Sequence, residues 1–100
     1  MLRKNSKKLL DGADDLVKIE DIKIPSDFAV LVPTKEKMIK KATYYDENGK
    51  FDKPIIVVPE TNERGKPNKL MLVDGYINYI IAICRNEKYV PVQYRFDYIV

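Results

Sequence analysis

The chain has 100 residues, 45% of them hydrophobic and 10% aromatic, a composition that fits one globular domain and excludes a disordered chain. Cys84 is the only cysteine and there is no histidine, which excludes an intrachain disulfide, a thiolate zinc site, the usual zinc and copper ligand sets and histidine-based general-base catalysis. The net charge of +3 is too mild to demand a nucleic-acid partner by itself.

A chain of this size buries roughly two-thirds of its unfolded surface, enough for one modest core. Residues 1–16 read as a basic N-terminal tail: Arg3, Lys4, Lys7 and Lys8 carry positive charge with no acid among the first eight residues, and Asp11-Gly12 interrupts the segment. Its only apolar run is Leu9-Leu10, so it does not read as a signal peptide. No stretch approaches the eighteen or so apolar residues of a membrane span. A cytoplasmic protein without a membrane partner is the expectation, with residues 17–100 as its folded domain.

Within that domain Val17, Ile19, Ile22 and Ile24 suggest a first strand whose phase changes at Glu20-Asp21, as at a bend or bulge. Pro25-Ser26-Asp27 breaks it, and Phe28 to Val32 forms a short apolar link. Thr34 has the chemistry of a helix N-cap, with Glu36 in the first turn. Met38, Ala42 and Tyr45 then fall on one apolar face, with Ile39 beside them. Lys37, Lys40, Lys41 and Tyr44 occupy the other face, and Asp46-Glu47-Asn48-Gly49 ends the helix. Pro54 opens the strand Ile55-Ile56-Val57-Val58, which Pro59 is expected to close. A polar loop from Glu60 to Pro67 leads to the strand Leu70-Met71-Leu72-Val73, so the two strands suggest a hairpin.

Gly75 to Arg85 reads as a second helix. Tyr76, Tyr79, Ile80 and Ile83 repeat at helical spacing, and Ile77, Ile81 and Cys84 widen an apolar face that should be largely buried. Cys84 is expected to be a small buried residue there. Asn86 can end the helix in a left-handed conformation. From Val90 to Val100 the sequence alternates, as in a strand with one face on the core. The order strand, helix, strand, strand, helix, strand predicts an α+β fold: one domain with a small mixed sheet and two main helices.

The join between Val73 and Tyr76 carries the most chemistry. A buried strand that runs through Asp74-Gly75 into a helix leaves the first helical N–H groups without partners in the helix, a natural anion site. The opposing reading is that Asp74 caps the helix and Gly75 lets strand and helix approach closely. Pro54-Ile55-Ile56-Val57-Val58, then Leu72-Val73-Asp74-Gly75-Tyr76-Ile77-Asn78-Tyr79, then Val90-Pro91-Val92, together resemble the ParB/sulfiredoxin superfamily, above all its small ParB-like nuclease-type domains, from Val17 to Tyr94. The resemblance implies a nucleotide phosphate at the helix start. It also shows departures. Tyr76 stands where sulfiredoxins place a catalytic cysteine, and Tyr76-Ile77-Asn78 replaces the Glu-Arg-Arg that follows the motif glycine in chromosome-partition ParB proteins. Tyr79 keeps the aromatic position. Sulfinic-acid reduction and CTP hydrolysis are therefore not expected.

The candidate ligand-binding residues are Asp74, Gly75, Tyr76, Asn78 and Tyr79. Lys37, Lys40 and Lys41, with Arg64 and Lys66 in a loop that also carries Lys69, are candidate nucleic-acid contacts, against the alternative of ordinary solvated surface. A metal-dependent nuclease needs convergent carboxylates; Asp74 is the only acid in the motif, and Asp46, Asp52 and Asp97 would have to meet it through the tertiary fold. No metal site and no catalytic residue is assigned, and no cofactor beyond Mg²⁺ arriving with a nucleotide. The expected function is that of a non-catalytic ParB-like accessory domain associated with a nucleotide or DNA in DNA maintenance. The alternatives are a Mg²⁺-dependent nuclease or nucleoside triphosphatase, and a protein-interaction module that forms a homodimer through its C-terminal strand.

Overall fold

A computed structural model describes residues 10–29, 32–61 and 67–95. Five strands, β1 (Asp15–Lys18), β2 (Ile22–Lys23), β3 (Ile55–Thr61), β4 (Pro67–Asp74) and β5 (Tyr89–Tyr94), form one sheet in the order β1-β5-β3-β4-β2. Three α-helices are described: a single turn α1 (Ser26–Ala29), and the two main helices α2 (Lys35–Asn48) and α3 (Tyr76–Cys84). The fold is α+β with a mixed sheet, since β1–β5 and β3–β4 pair antiparallel while β2–β4 and β3–β5 pair parallel.

The segment read as one bent strand is two strands on opposite edges of the sheet. A 3₁₀ turn, Ile19–Asp21, separates β1 from β2. Five flat strands would span about 19 Å from edge to edge, whereas the step from Lys18 to Ile22 reaches at most about 14 Å. The sheet must therefore curl until its edges approach. Burial supplies the driving force: Ile22, Phe51, Ile55, Val57, Leu72, Val90 and Val92 join Ile81 and Ala82 of α3 in one buried cluster, each large side chain contributing roughly 1.5–3 kcal/mol when fully covered.

The turn chemistry follows the sequence closely at the helix ends. Thr34 caps α2, its Oγ1 accepting from the Lys37 amide at 3.3 Å, and Gly49 ends the helix at φ +70°. After α3, Asn86 adopts φ +59°. The Glu87 amide then donates to the Ala82 carbonyl at 2.9 Å and the Asn86 amide to that of Ile83 at 3.1 Å, the paired bonds of a Schellman ending.

Other expectations are corrected. β3 does not stop at Pro59 but continues to Thr61. Pro59 lies beyond the last β5 pair, at Val57, and next to a register shift, a place where a missing strand N–H is tolerated. β4 starts at Pro67, so both hairpin strands extend into the segment read as loop. α3 is less buried than its composition suggests: its last turn runs past the core, leaving Ile83 49% exposed and Cys84 exposed rather than packed. β5 is an interior strand, paired with β1 from Tyr89 to Val92 and with β3 from Val92 to Tyr94. The remainder of that predicted strand, residues 96–100, lies outside the described residues, as does most of the basic tail.

Gly75 fixes the crossing between β4 and α3. Its φ is +93°, and a Cβ there would lie 3.1 Å from the Ile55 Cα, a backbone contact that cannot rotate away. Gly75→Ala is expected to lower the unfolding free energy by about 2–4 kcal/mol through left-handed strain and overpacking, measured by urea denaturation.

Candidate functional site: the cleft between α2 and the start of α3

The first turn of α3 emerges beside the exposed face of α2, and a cleft of about 870 Å³ lies between them. One wall carries Lys37, Lys40, Lys41, Thr43, Tyr44 and Glu47 of α2; the other carries Asp74, Gly75, Tyr76, Ile77 and Asn78. Asp52 and Lys53, from the α2–β3 connection, and Val32, Pro33 and Thr34, ahead of α2, complete the lining. Two sets of residues about 35 positions apart in sequence, one proposed for a ligand and one for phosphates, thus meet in a single concavity. Tyr76 Ile77 and Tyr44 make much of it apolar, while the lysines supply cations.

Asp74 does not cap the helix. Gly75 occupies the N-cap position with no side-chain cap bond, and the Asp74 Oδ1 accepts from the Gly75 amide at 2.8 Å. The first bond of the helical ladder runs from the Tyr79 amide to the Gly75 carbonyl at 3.0 Å. The amides that precede it have no acceptor within the ladder and carry the positive end of the helix dipole.

Asn78 is buried, at 2% exposure, and its amide nitrogen donates to the Asp52 Oδ1 at 3.0 Å and to the Lys53 carbonyl at 3.2 Å. Its side-chain nitrogen is therefore committed to holding the α2–β3 connection. The other Asp52 oxygen accepts from the Lys41 Nζ at 2.8 Å. Lys41, Asp52 and Asn78 form a polar chain from α2 to α3 across the inner end of the cleft. Burial pushes the Asp52 carboxyl up, but the bonds from Lys41 and Asn78, the nearby Lys41 charge and the Lys53 amide outweigh it and hold the group below its ordinary value.

Tyr79 points elsewhere: it packs against the core cluster and stacks on Tyr76, with ring centroids 6.4 Å apart and planes at 17°. Burial, then the neighbouring Tyr76, raises its phenol above the ordinary value. Lys69 is turned away from the cleft, its Nζ donating to the Glu20 carbonyl at 3.1 Å. Arg64 and Lys66 lie outside the described residues. Of the acids considered for a metal, Asp46 is engaged with Arg85, whose Nε and guanidinium nitrogen donate to its two oxygens at 2.9 and 2.8 Å; those bonds lower the Asp46 pKa. Asp97 lies outside the described residues, and among those described no three Asp, Glu or Cys side chains gather as a metal site. Tyr45 donates to Glu87 and rests on Phe51, ring centroids 4.7 Å apart, so α2 is fastened at its far end as well.

Among the lining residues that the sequence did not mark as ligand-facing, Asp52 and Lys53 come from outside the two helices. They follow a helix-ending glycine and precede Pro54, a polar loop without periodicity, so nothing local marks them.

No protein-family model matches the sequence, and no curated protein matches it. Solved structures do share its fold. The C-terminally truncated chromosome-partitioning protein ParB from Caulobacter crescentus, complexed with CTP-γ-S, matches at TM-score 0.60 and 22% identity over 82% of this chain and 43% of its own. Sulfiredoxin from Arabidopsis thaliana matches at 0.61 and 15%, over 82% of this chain and 85% of its own. A free serine kinase in complex with AMP matches at 0.63 and 15%, over 93% of this chain and 33% of its own. The chain has a ParB/sulfiredoxin-like fold, and it spans less than half the length of the ParB and kinase chains. Among the described residues no helix is long and apolar enough to cross a membrane.

The depressed Asp52 pKa has a stability consequence with a definite sign. A carboxylate that is more acidic in the folded state stabilises the fold above its unfolded pKa of about 3.9 and loses that contribution as pH falls through its folded value. The stability gap between wild type and Asp52→Asn should thus be full near pH 7 and close below about pH 4, as read from urea midpoints along a pH series.

Proposed function

We propose that this chain is a non-catalytic nucleotide-binding domain that takes its ligand in the cleft between α2 and α3, and that it serves as an accessory module in DNA maintenance. The observation that carries the reading is the cleft itself: unpaired lysines on α2 face the start of α3, with the aromatic Tyr44 and Tyr76 on opposite walls. Among the described residues neither Lys37 nor Lys40 makes an ion pair. Cations, helix-start amides and a flat apolar surface are the three things a nucleotide asks of a site. Two fold neighbours, in complex with CTP-γ-S and with AMP, support the reading by analogy of fold, and the role in DNA maintenance rests on that analogy.

The non-catalytic part rests on what lines the cleft. The first turn of α3 offers Tyr76, Ile77 and Asn78, none of which is a nucleophilic thiol or a cation able to neutralise a phosphoryl group in transit. Asp52, Asp74 and Glu47 share the cleft, but Asp52 already holds Lys41 and Asn78, and among the described residues no three acids gather as the site that Mg²⁺ needs in a nuclease.

Titration of ¹⁵N-labelled protein with AMP and CTP is expected to move the amides of Gly75 to Asn78 saturably, and the double variant Lys37→Glu/Lys40→Glu to weaken binding by roughly tenfold or more, the loss of charge-assisted bonds to phosphate. Unmoved amides at millimolar nucleotide, or shifts confined to other surfaces, would overturn the assignment.

A further inference from the structure

The charge inside the cleft is nearly balanced. Lys37, Lys40, Lys41 and Lys53 face Glu47, Asp52 and Asp74, so four cations meet three carboxylates. The balance is also arranged in space. Lys41, the cation tied to the inner end, is held by Asp52 at 2.8 Å. Asp52 in turn accepts from buried Asn78, which gives the pair a fixed geometry rather than that of a loose surface contact. Asp74 stands at the join with α3, where it meets any anion that approaches the helix-start amides.

Resting on the nucleotide-binding reading, we infer that the cleft selects a nucleoside monophosphate over a triphosphate, and that Asp52 sets this preference by keeping Lys41 neutralised. A phosphate monoester brings about −1.5 to −2 charge near neutral pH, which Lys37 and Lys40 can match. Each further phosphate adds charge that needs its own cation. The remaining cleft lysine of α2, Lys41, is already held by Asp52, so among the described lining residues only Lys53 is left to meet the added charge, which Asp74 and Glu47 repel. The apolar share of the walls, from Tyr44, Tyr76 and Ile77, is available to the base and is indifferent to the number of phosphates. Asp52 is ionised across the neutral range, its carboxyl held low despite burial by Lys41 and Asn78, so Lys41 stays paired at working pH.

The test is calorimetric titration of the full chain with AMP, ATP, CMP and CTP in a chelator-containing buffer, so that no divalent cation masks the phosphates. Wild type is expected to bind the monophosphates roughly tenfold more tightly than the matching triphosphates. Asp52→Asn keeps an oxygen for the Asn78 amide but frees Lys41, and it should narrow or invert that ratio. Lys41→Met removes the cation and leaves the Asp52 charge in the cleft, so it should widen the ratio. Amide spectra of both variants establish that they fold, and two variants with opposite expected signs separate a specificity effect from general loosening. Triphosphates that bind more tightly than monophosphates to wild type, or a ratio that neither variant changes, would overturn this inference while leaving the cleft a nucleotide site. Absence of binding by all four nucleotides would overturn both.

Discussion

The contact on which the site depends is the approach of Gly75 to the backbone of Ile55. β3 and β4 pair through Ile56 and Asp74, so the chain leaves the sheet next to the first residues of β3 and has to turn at once. A Cβ at this position would lie 3.1 Å from the Ile55 Cα, at a φ of +93° that side chains rarely adopt, so glycine suits the turn, and that left-handed turn aims α3 back across the sheet. The direction is then locked by Ile81 and Ala82, which lie in the core with Val57 and Leu72. From that one crossing follow the depth of Asn78, the place of the Asp52 loop and the outward-facing first turn of α3.

α2 is held differently. No residue of it is fully buried; Ala42 and Tyr45 rest against the edge of the core, and the remaining ties are polar. Lys41 reaches Asp52 from the middle of the helix, while Asp46 meets Arg85 and Tyr45 meets Glu87 toward its C-terminal end. Exposed ion pairs contribute little each, about 0–1 kcal/mol. Their effect lies in orientation: they present the lysine face of α2 to the start of α3 and so define the cleft's two walls. The same chain that fixes the walls also neutralises one of the cleft's cations, so geometry and electrostatics are set by one group, Asp52.

The curl of the sheet joins these features. β1 and β2 are only three residues apart and occupy opposite edges, which forces the sheet to wrap around its own core. β1 pairs with β5 from Tyr89 to Val92 on one side and β3 from Val92 to Tyr94 on the other, so the strand that looked most available for a second chain has its described part inside the sheet.

The features legible in the residues alone are local ones. Thr34 and Gly49 mark the ends of α2 because capping and left-handed turns depend on the residue at the turn. Asn86 ends α3 for the same reason. The apolar runs at Ile55 to Val58, all β-branched, and Leu70 to Val73 mark strands because alternate or continuous burial is written in side-chain type. Likewise the order of elements, and through it the fold class, was legible. The tertiary structure decided everything that needs two distant segments. It split Val17 to Ile24 between two edges, since strand partners lie tens of residues away. It carried β3 past Pro59, since the cost of a proline depends on which neighbour is missing its N–H. Cys84 was left exposed because the length of α3 relative to the sheet, rather than its hydrophobicity, sets where the core ends. It gave Asn78, a wall residue of the cleft, a second part as the buried anchor of a polar chain to Asp52 and Lys41, and it brought Asp52 and Lys53 to the cleft. Neither residue has a local signature, because what makes them part of the site is a lysine eleven residues back and an asparagine twenty-six residues on, brought together only when α3 crosses the sheet at Gly75.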